Sequence, residues 1–289
     1  MWIAQTISQA RRRRGALAGP VAFVATMGAL HDGHMKLIRR AGQVGHDVVV
    51  SIFVNSAQFG PHEDYHRYPR PVAEDLALCR QAGISGVFSP SASEIYPPDQ
   101  IGCQVQVPLL DTMLEGQCRP GHFAGVCRVV LKLLNILQPE VALFGQKDFQ
   151  QWRVVAAVVS DLNLPVRIVA CPTARDPDGL ACSSRNRYLS AADRARALGL
   201  CKAIRSARQM VQDPGTPDVA TIEDRMRQIM IEHELKVDYA AVRDPDSLQA
   251  LDPALADHQK VVALVAGRVG GVRLIDSMLI SRCRVAPGR

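Results

Sequence analysis

Residues 21–55, VAFVATMGALHDGHMKLIRRAGQVGHDVVVSIFVN, set two apolar β-branched runs on either side of one amphipathic segment. Val21–Ala25 and Asp47–Val54 read as strands, and Met35–Gln43 between them has the spacing of a helix. Runs that stay apolar at successive positions, instead of alternating, belong to strands buried on both faces. A strand-helix-strand order joins parallel neighbours through a crossover. The alternation continues outward: Val72–Ala82 is helical, Gly125–Leu137 helical, Glu140–Phe144 extended, Gln150–Ser160 helical and Val166–Ala170 extended. The expectation is an α/β domain over residues 1–177, a doubly wound parallel sheet of Rossmann-like type with helices on both faces.

The turn-forming cluster Arg175-Asp176-Pro177-Asp178-Gly179 ends that texture. Beyond it Asp193–Val211 repeats apolar residues at Leu198, Cys201, Ile204, Ala207 and Val211, a helical period, and Val219–Glu232 predicts a second helix. The break Asp213-Pro214-Gly215-Thr216-Pro217 cannot be helical. Lys236–Arg243, Lys260–Ala266 and Val272–Ile280 are strand candidates, so residues 178–289 are expected to form a smaller α+β domain. Arg11–Arg14 reads as a solvated helix face.

Composition narrows the function classes. Among 289 residues 47% are hydrophobic and 21% charged, which excludes the signature of a disordered chain. The longest apolar stretches, Val48–Val54 with Ser51 inside it and Val261–Ala266, fall well short of the roughly 20 residues that span a bilayer. The arginine run follows an apolar segment, the reverse of an export signal, so a cytoplasmic protein is expected. The net charge of +6 suits small anionic partners such as a nucleotide or a carboxylate. With only 5% aromatic residues there is little to stack bases on, and nucleic acid is not expected. The eight cysteines form no C-x-x-C pair and no cluster with histidine, which points to reduced thiols instead of zinc or a disulfide scaffold.

Ligands of a doubly wound sheet bind at the carboxyl ends of its strands, so the loops there carry the chemistry. In Thr26-Met27-Gly28-Ala29-Leu30-His31-Asp32-Gly33-His34 the glycines allow close backbone approach, and two histidines stand at the amino end of a helix, where N–H groups favour anions. The loop reads as a phosphate site without a Walker lysine, against the plainer reading of two surface histidines in a turn. Asn55 and Gln58 offer neutral donors and acceptors to a small polar substrate, or serve as ordinary turn residues. His62-Glu63-Asp64-Tyr65-His66 matches H-E-x-x-H formally, but Pro61 and Pro69 leave no room for the helix that a zinc site needs. In Gly145-Gln146-Lys147-Asp148-Phe149-Gln150-Gln151 a lysine can neutralise phosphate and a glutamine one turn on can share its cavity; otherwise Asp148 caps a helix and Lys147 is solvated. Cys182-Ser183-Ser184-Arg185-Asn186 pairs two hydroxyls with a guanidinium, a phosphate grip and no serine nucleophile.

Together these loops resemble the pantoate-β-alanine ligase family. The matching stretches are TMGALHDGH at 26–34, SIFVNSAQFGPHEDYHRYPR at 51–70, RPGHFAGVCRVVLKLLNILQPEVALFGQKDFQQ at 119–151 and ACPTARDPDGLACSSRNRYLS at 170–190. The resemblance implies a nucleotide-binding fold of the cytidylyltransferase-like group, whose H-x-G-H signature is His31-Asp32-Gly33-His34 here, and ATP-dependent condensation of pantoate with β-alanine through pantoyl adenylate. It implies that Met27, Gly28, His31, His34, Gly145, Gln146, Lys147, Asp148, Ala174, Cys182, Ser183, Ser184 and Arg185 contact ATP. His34, His31 and Lys147 would take catalytic parts, with His34 as proton donor. Gln58, Gln151 and Asn55 would bind pantoate or β-alanine, and Asp75 would be the candidate ligand for Mg²⁺. A homodimer follows from the same resemblance, while the place of Cys182–Asn186 just past the domain boundary would let the second domain close over a nucleotide. Gln146 stands where the family has a glutamate, and Ser56-Ala57 where it has Pro-Thr. A nucleotidyltransferase of the same fold and a basic nucleic-acid-binding module are the alternatives.

Overall fold

The computed structural model describes residues 1–213, 215, 218–252, 255 and 258–282. Pro214, Thr216 and Pro217 of the expected helix break, and Cys283, lie outside them. The chain divides into two compact units, Met1–Gly145 with Gln150–Pro172, and Gln146–Phe149 with Thr173–Arg289. The second unit thus takes the Gln146–Phe149 turn out of the stretch assigned above to the first domain.

The first unit runs β1 (Trp2–Ala4), α1 (Ile7–Gly15), β2 (Val21–Thr26), α2 (Asp32–Val44), β3 (Asp47–Ile52), α3 (Val72–Gln81), β4 (Gly86–Phe88), α4 (Ala92–Ile95), α5 (Pro108–Asp111), α6 (Leu114–Cys118), α7 (His122–Leu137), β5 (Val141–Gly145), α8 (Phe149–Asp161) and β6 (Arg167–Cys171). Its sheet has the order β1-β4-β3-β2-β5-β6, every pair parallel. The doubly wound α/β expectation is met. Phe23, Val24, Val49, Val50, Ala142 and Leu143 are all buried, as strands covered on both faces require. The order reverses between β2 and β5, so the loop leaving β2 and the end of β5 flank the switch point.

Two strands escaped the sequence reading. β1 and β4 are three residues each, too short for any periodicity to show. Arg14 departs from the expected solvated run: Arg11, Arg12 and Arg13 are exposed, but Arg14 donates from Nε to the Leu137 carbonyl at 3.0 Å and pairs with Glu140 at 2.8 Å. It therefore caps the carboxyl end of α7, where cations are favoured. The other oxygen of Glu140 accepts the Val21 amide at 2.6 Å, which ties the start of β2 to the chain entering β5.

In the second unit α9 (Ala191–Gln212) and α10 (Val219–Glu232) pack on an antiparallel sheet in the order β7-β8-β9, formed by β7 (Lys236–Arg243), β8 (Lys260–Val269) and β9 (Val272–Ser281). Each helix begins on a side-chain cap, Ser190 and Asp218 respectively. Ile204, Ala207, Ile222, Met226, Met230, Val261 and Ala263 form the core. The α+β expectation is met here too.

Candidate active site

The β2-α2 loop is held from three directions. Thr26 Oγ1 donates to the Ser51 carbonyl at 2.7 Å and accepts the Gly28 amide at 3.1 Å. Gly28 and Ala29 both have positive φ, 79° and 51°, so two successive amides turn the same way. Asp75 of α3 receives the next pair: Ala29 N lies 2.8 Å from Oδ2 and Leu30 N 2.7 Å from Oδ1. A Cβ at position 28 would stand 2.9 Å from that same Oδ2, so glycine is required there for space as well as for φ. Asp75 is 1% exposed, and hydrogen bonds to a buried carboxylate are among the stronger ones, on the order of 1.5–3 kcal/mol each. The residue named as a metal candidate is thus the brace of the loop.

The histidines do something that sequence reading did not foresee. α2 starts at Asp32, three residues earlier than expected, so His34 lies in the first helical turn and not in a loop. His31 is the N-cap. Its Nδ1 accepts the Gly33 amide at 3.1 Å, and His34 Nδ1 accepts the His31 amide at 3.3 Å, a reciprocal capping box built of two imidazoles with ring centroids 4.0 Å apart. Because each Nδ1 is an acceptor, the hydrogen-bond pattern assigns the proton of both neutral rings to Nε2. Both rings are half-buried, and Met27 at the mouth of β2 is half-buried as well.

Asn55 and Gln58 meet in the turn after β3. Asn55 is 1% exposed and donates from Nδ2 to Gln58 Oε1 at 2.9 Å and to the Gly125 carbonyl at 3.1 Å. α7 can approach this turn only because position 125 has no side chain: a Cβ would lie 2.1 Å from the Ala57 carbonyl oxygen. From α7, His122 donates from Nδ1 to the Gln58 carbonyl at 2.9 Å, while its Nε2 accepts from Arg119 at 3.0 Å. Burial, with the Arg119 charge added, lowers the His122 imidazole to about 4 and keeps it neutral. Arg119 also grips Glu63 through Nε at 2.6 Å and NH2 at 2.7 Å. Burial works against the charge of Glu63, but Arg119 holds its carboxyl below the usual range. The segment carrying His62 and His66 is a run of turns with both histidines exposed, so the helical face of an H-E-x-x-H site does not form, and Glu63 is an ion-pair partner. Sequence spacing gave no sign of the Arg119-Glu63-His122 group, which joins two segments more than 50 residues apart along the chain.

Gln151 is half-buried in the first turn of α8. Its neighbour Gln150, 2% exposed, is a clamp: it accepts the Glu115 amide at 2.9 Å and donates to the Leu110 and Met113 carbonyls at 2.6 and 2.9 Å.

In the second unit Gln146–Asp148 form one helical turn after Gly145, with Lys147 Nζ 3.4 Å from Asp148 Oδ1. β9 packs against this turn and against the Ser184–Tyr188 turn. Ser277 of β9 donates its hydroxyl to the Gln146 carbonyl. Beside it Asp276, 2% exposed, forms a two-pronged pair with Arg175 at 2.6 and 3.0 Å. Burial alone would lower the Arg175 guanidinium, but the facing Asp276 raises it; burial in turn pushes the Asp276 carboxyl above the usual range against the pull of Arg175. Ala174 accepts the Cys182 amide at 2.9 Å. The Cys182 thiol is buried and donates to Asp176 at 3.1 Å, so its side chain points into the unit's own network. Ser183 caps the next turn by accepting the Arg185 amide at 3.3 Å, Ser184 is buried and Arg185 is half-buried. β9 thus backs the two loops of the second unit that were named for phosphate, a role for Asp276 and Ser277 that strand patterning could not disclose.

No group of three His, Cys, Asp or Glu side chains among the described residues is arranged to hold a metal ion. With both Asp75 oxygens on loop amides and Glu74 exposed, these residues do not make a Mg²⁺ cage.

A family model described as pantoate-beta-alanine ligase matches residues 2–279. The pantothenate synthetase of Acidothermus cellulolyticus is 49% identical over 279 residues, covering 96% of this chain and 90% of that protein. The crystal structure of pantothenate synthetase from Thermus thermophilus aligns with a TM-score of 0.89 and 42% identity over 96% of this chain and 99% of that one. The pantoate-beta-alanine ligase of Francisella tularensis, in a crystal structure complexed with beta-gamma ATP and β-alanine, aligns at 0.79 with 34% identity over 96% and 97% of the two chains.

Proposed function

This chain belongs to the pantoate-β-alanine ligase family and is a carbon-nitrogen ligase, and from that premise we propose that it condenses pantoate with β-alanine in two ATP-driven half-reactions. In the first, a pantoate carboxylate oxygen attacks the α-phosphorus of ATP, the bond to the β-phosphate breaks and pyrophosphate leaves. In the second, the β-alanine amine attacks the acyl carbon of pantoyl adenylate and AMP departs with the electron pair of the broken acyl–oxygen bond. Activation is needed because a free carboxylate resists amine attack.

The observation that carries this reading is the reciprocal cap of His31 and His34. It aligns two imidazoles, each with its proton on Nε2, beside the first-turn amides of α2 and the positive end of the helix dipole, an arrangement suited to charge building on phosphate oxygens. His34 is the proposed donor to the nucleotide, with His31 and the amides from Met27 onward as its support. In the second unit Lys147, Ser183, Ser184 and Arg185 are the groups proposed for the phosphates, with backbone contacts from Gly145, Gln146, Asp148, Ala174 and Cys182. Gln58 and Gln151 are assigned to pantoate and β-alanine, with Asn55 in support. No covalent enzyme intermediate enters. Mg²⁺ would arrive with the nucleotide's phosphates, as is usual where a protein offers few carboxylates. The reading extends to a homodimer on the resemblance alone, and to the cytoplasm on cysteines that form no C-x-x-C pair and read as reduced thiols.

The test is ATP-pyrophosphate exchange with the substrates added one at a time. Exchange is expected with pantoate alone, and AMP release only once β-alanine is present. Failure of pantoate to start exchange in folded protein would remove the adenylate. Exchange with another acceptor in its place would favour a nucleotidyltransferase.

A further inference from the structure

The amide of Gln58 has two faces, one a donor pair and one an acceptor, and which of them a ligand meets depends on how the group is turned. Its orientation is settled by its neighbour. Asn55 cannot be flipped, because its Nδ2 faces the Gly125 carbonyl at 3.1 Å and its Oδ1 faces the Ala57 amide at 3.3 Å, both backbone groups of fixed polarity. Nδ2 must therefore donate at its other contact, the 2.9 Å bond to Gln58, and the Gln58 atom there must be Oε1. That leaves Gln58 Nε2 as the atom on the opposite side of its amide.

One more contact completes the series. The Tyr96 hydroxyl, at the end of α4, donates to Asn55 Oδ1 at 2.7 Å. The ring of Tyr96 lies under two cations from α7, with the Arg128 guanidinium 4.7 Å and the Lys132 ammonium 5.8 Å from its centroid. Burial raises the Tyr96 phenol to about 12, with Arg128 opposing, so the hydroxyl keeps its proton and serves Asn55 as a donor.

We infer that Tyr96 is a positioning residue for substrate recognition: through Asn55 it holds the Gln58 amide so that Gln58 meets its ligand as a hydrogen-bond donor. Each bond in the series points the same way, from Tyr96 to Asn55 to Gln58, and aligned bonds of this kind polarise one another. The ligand atom that Gln58 receives is consequently an acceptor, a carboxylate or hydroxyl oxygen such as pantoate carries, and not the ammonium group of β-alanine. This inference rests on the reading of Gln58 as a pantoate-binding residue.

The test is steady-state exchange with pantoate and ATP varied separately. Tyr96→Phe keeps the ring beneath its cations and removes only the hydroxyl. It is expected to raise KM for pantoate about 3- to 10-fold, the loss of one hydrogen bond, with KM for ATP and kcat changed less than about 2-fold. Asn55→Asp turns the donor into an acceptor toward both Gln58 and the Gly125 carbonyl, so its unfolding midpoint is measured alongside; in the folded variant the Gln58 amide is forced over, and the same pattern is expected with a larger pantoate effect. Gln58→Ala separates the two layers. If Gln58→Ala raises KM for pantoate while Tyr96→Phe and Asn55→Asp do not, the positioning role is overturned and the pantoate site stands. If Gln58→Ala leaves pantoate KM unchanged, the site assignment falls and the inference with it. Equal increases in KM for pantoate and ATP would show a structural role only.

Discussion

His31 with His34 and His62 with His66 are two histidine pairs of similar spacing in one short stretch of chain, and only the first has a helix beneath it. At 31 and 34 the rings close the amino end of α2, each Nδ1 taken by a backbone amide. At 62 and 66 the chain turns between prolines, both rings are exposed and the intervening Glu63 is held by Arg119. The difference teaches that a motif of side chains is chemistry only when the backbone fixes the direction of each ring. Spacing along the chain does not do that. A third histidine, His122, makes the contrast sharper: it belongs to neither pair, yet it is buried, neutral and bonded to the Gln58 carbonyl.

The comparison can be broken most directly at His34. His34→Ala is expected to lower pantoate-dependent exchange about 10²- to 10⁴-fold if the ring acts on the nucleotide. Because the ring also caps α2, the same change should cost on the order of 1 kcal/mol in denaturant unfolding. Near-normal exchange in the folded variant would leave His34 as a cap and nothing more.

His122 gives the next effect. Its imidazole sits at about 4 in the folded chain against an ordinary 6.5, so the unfolded chain binds the extra proton between those values. The stability this neutral histidine contributes is complete above pH 6.5 and is lost as pH falls toward 4, about 1.4 kcal/mol per unit and about 3 kcal/mol in all. Arg119, Glu63 and Glu115 are the charges acting on it. His122→Gln should be less stable than the parent at pH 7 and lose stability less steeply from pH 6.5 to 4. Denaturant midpoints that fall with pH at the same slope in both proteins would refute the buried, neutral state.

The smallest effect belongs to the second pair. His62→Ala combined with His66→Ala should leave exchange within about 2-fold and leave no metal-dependent difference in thermal unfolding, since neither ring has the helical platform of a zinc site. A tightly bound zinc ion lost in that double variant would reverse the contrast.

How much could be read from the chain alone varies with the range of the interactions involved. β2, β3 and β5 were visible because strands buried on both faces are apolar at every position, and α9 because its buried residues recur with the helical period. The glycines and histidines of 26–34 were visible as a ligand loop because helix starts and tight turns are local events. Asp75 was named as a metal candidate, and its work as a brace went unseen: its partners are amides 45 and 46 residues away, and nothing local marks a carboxylate for that task. Asn55 was named for the substrate, and its burial with an amide engaged by Tyr96, Ala57, Gln58 and Gly125 could not be read from the chain. Asp276 and Ser277 stand in an ordinary-looking strand, and only the register of β9 brings them to Arg175 and Gln146.

By itself, the order of residues determined the two folding classes, the loops that carry polar groups and the family, because hydrophobic period, turn chemistry and motif spacing act over a few residues at a time. Only the tertiary structure decided which ring nitrogen carries a proton, which way the Gln58 amide faces and which carboxylate braces a loop. Those outcomes depend on the direction of hydrogen bonds between distant segments. Direction exists only once the chain has folded.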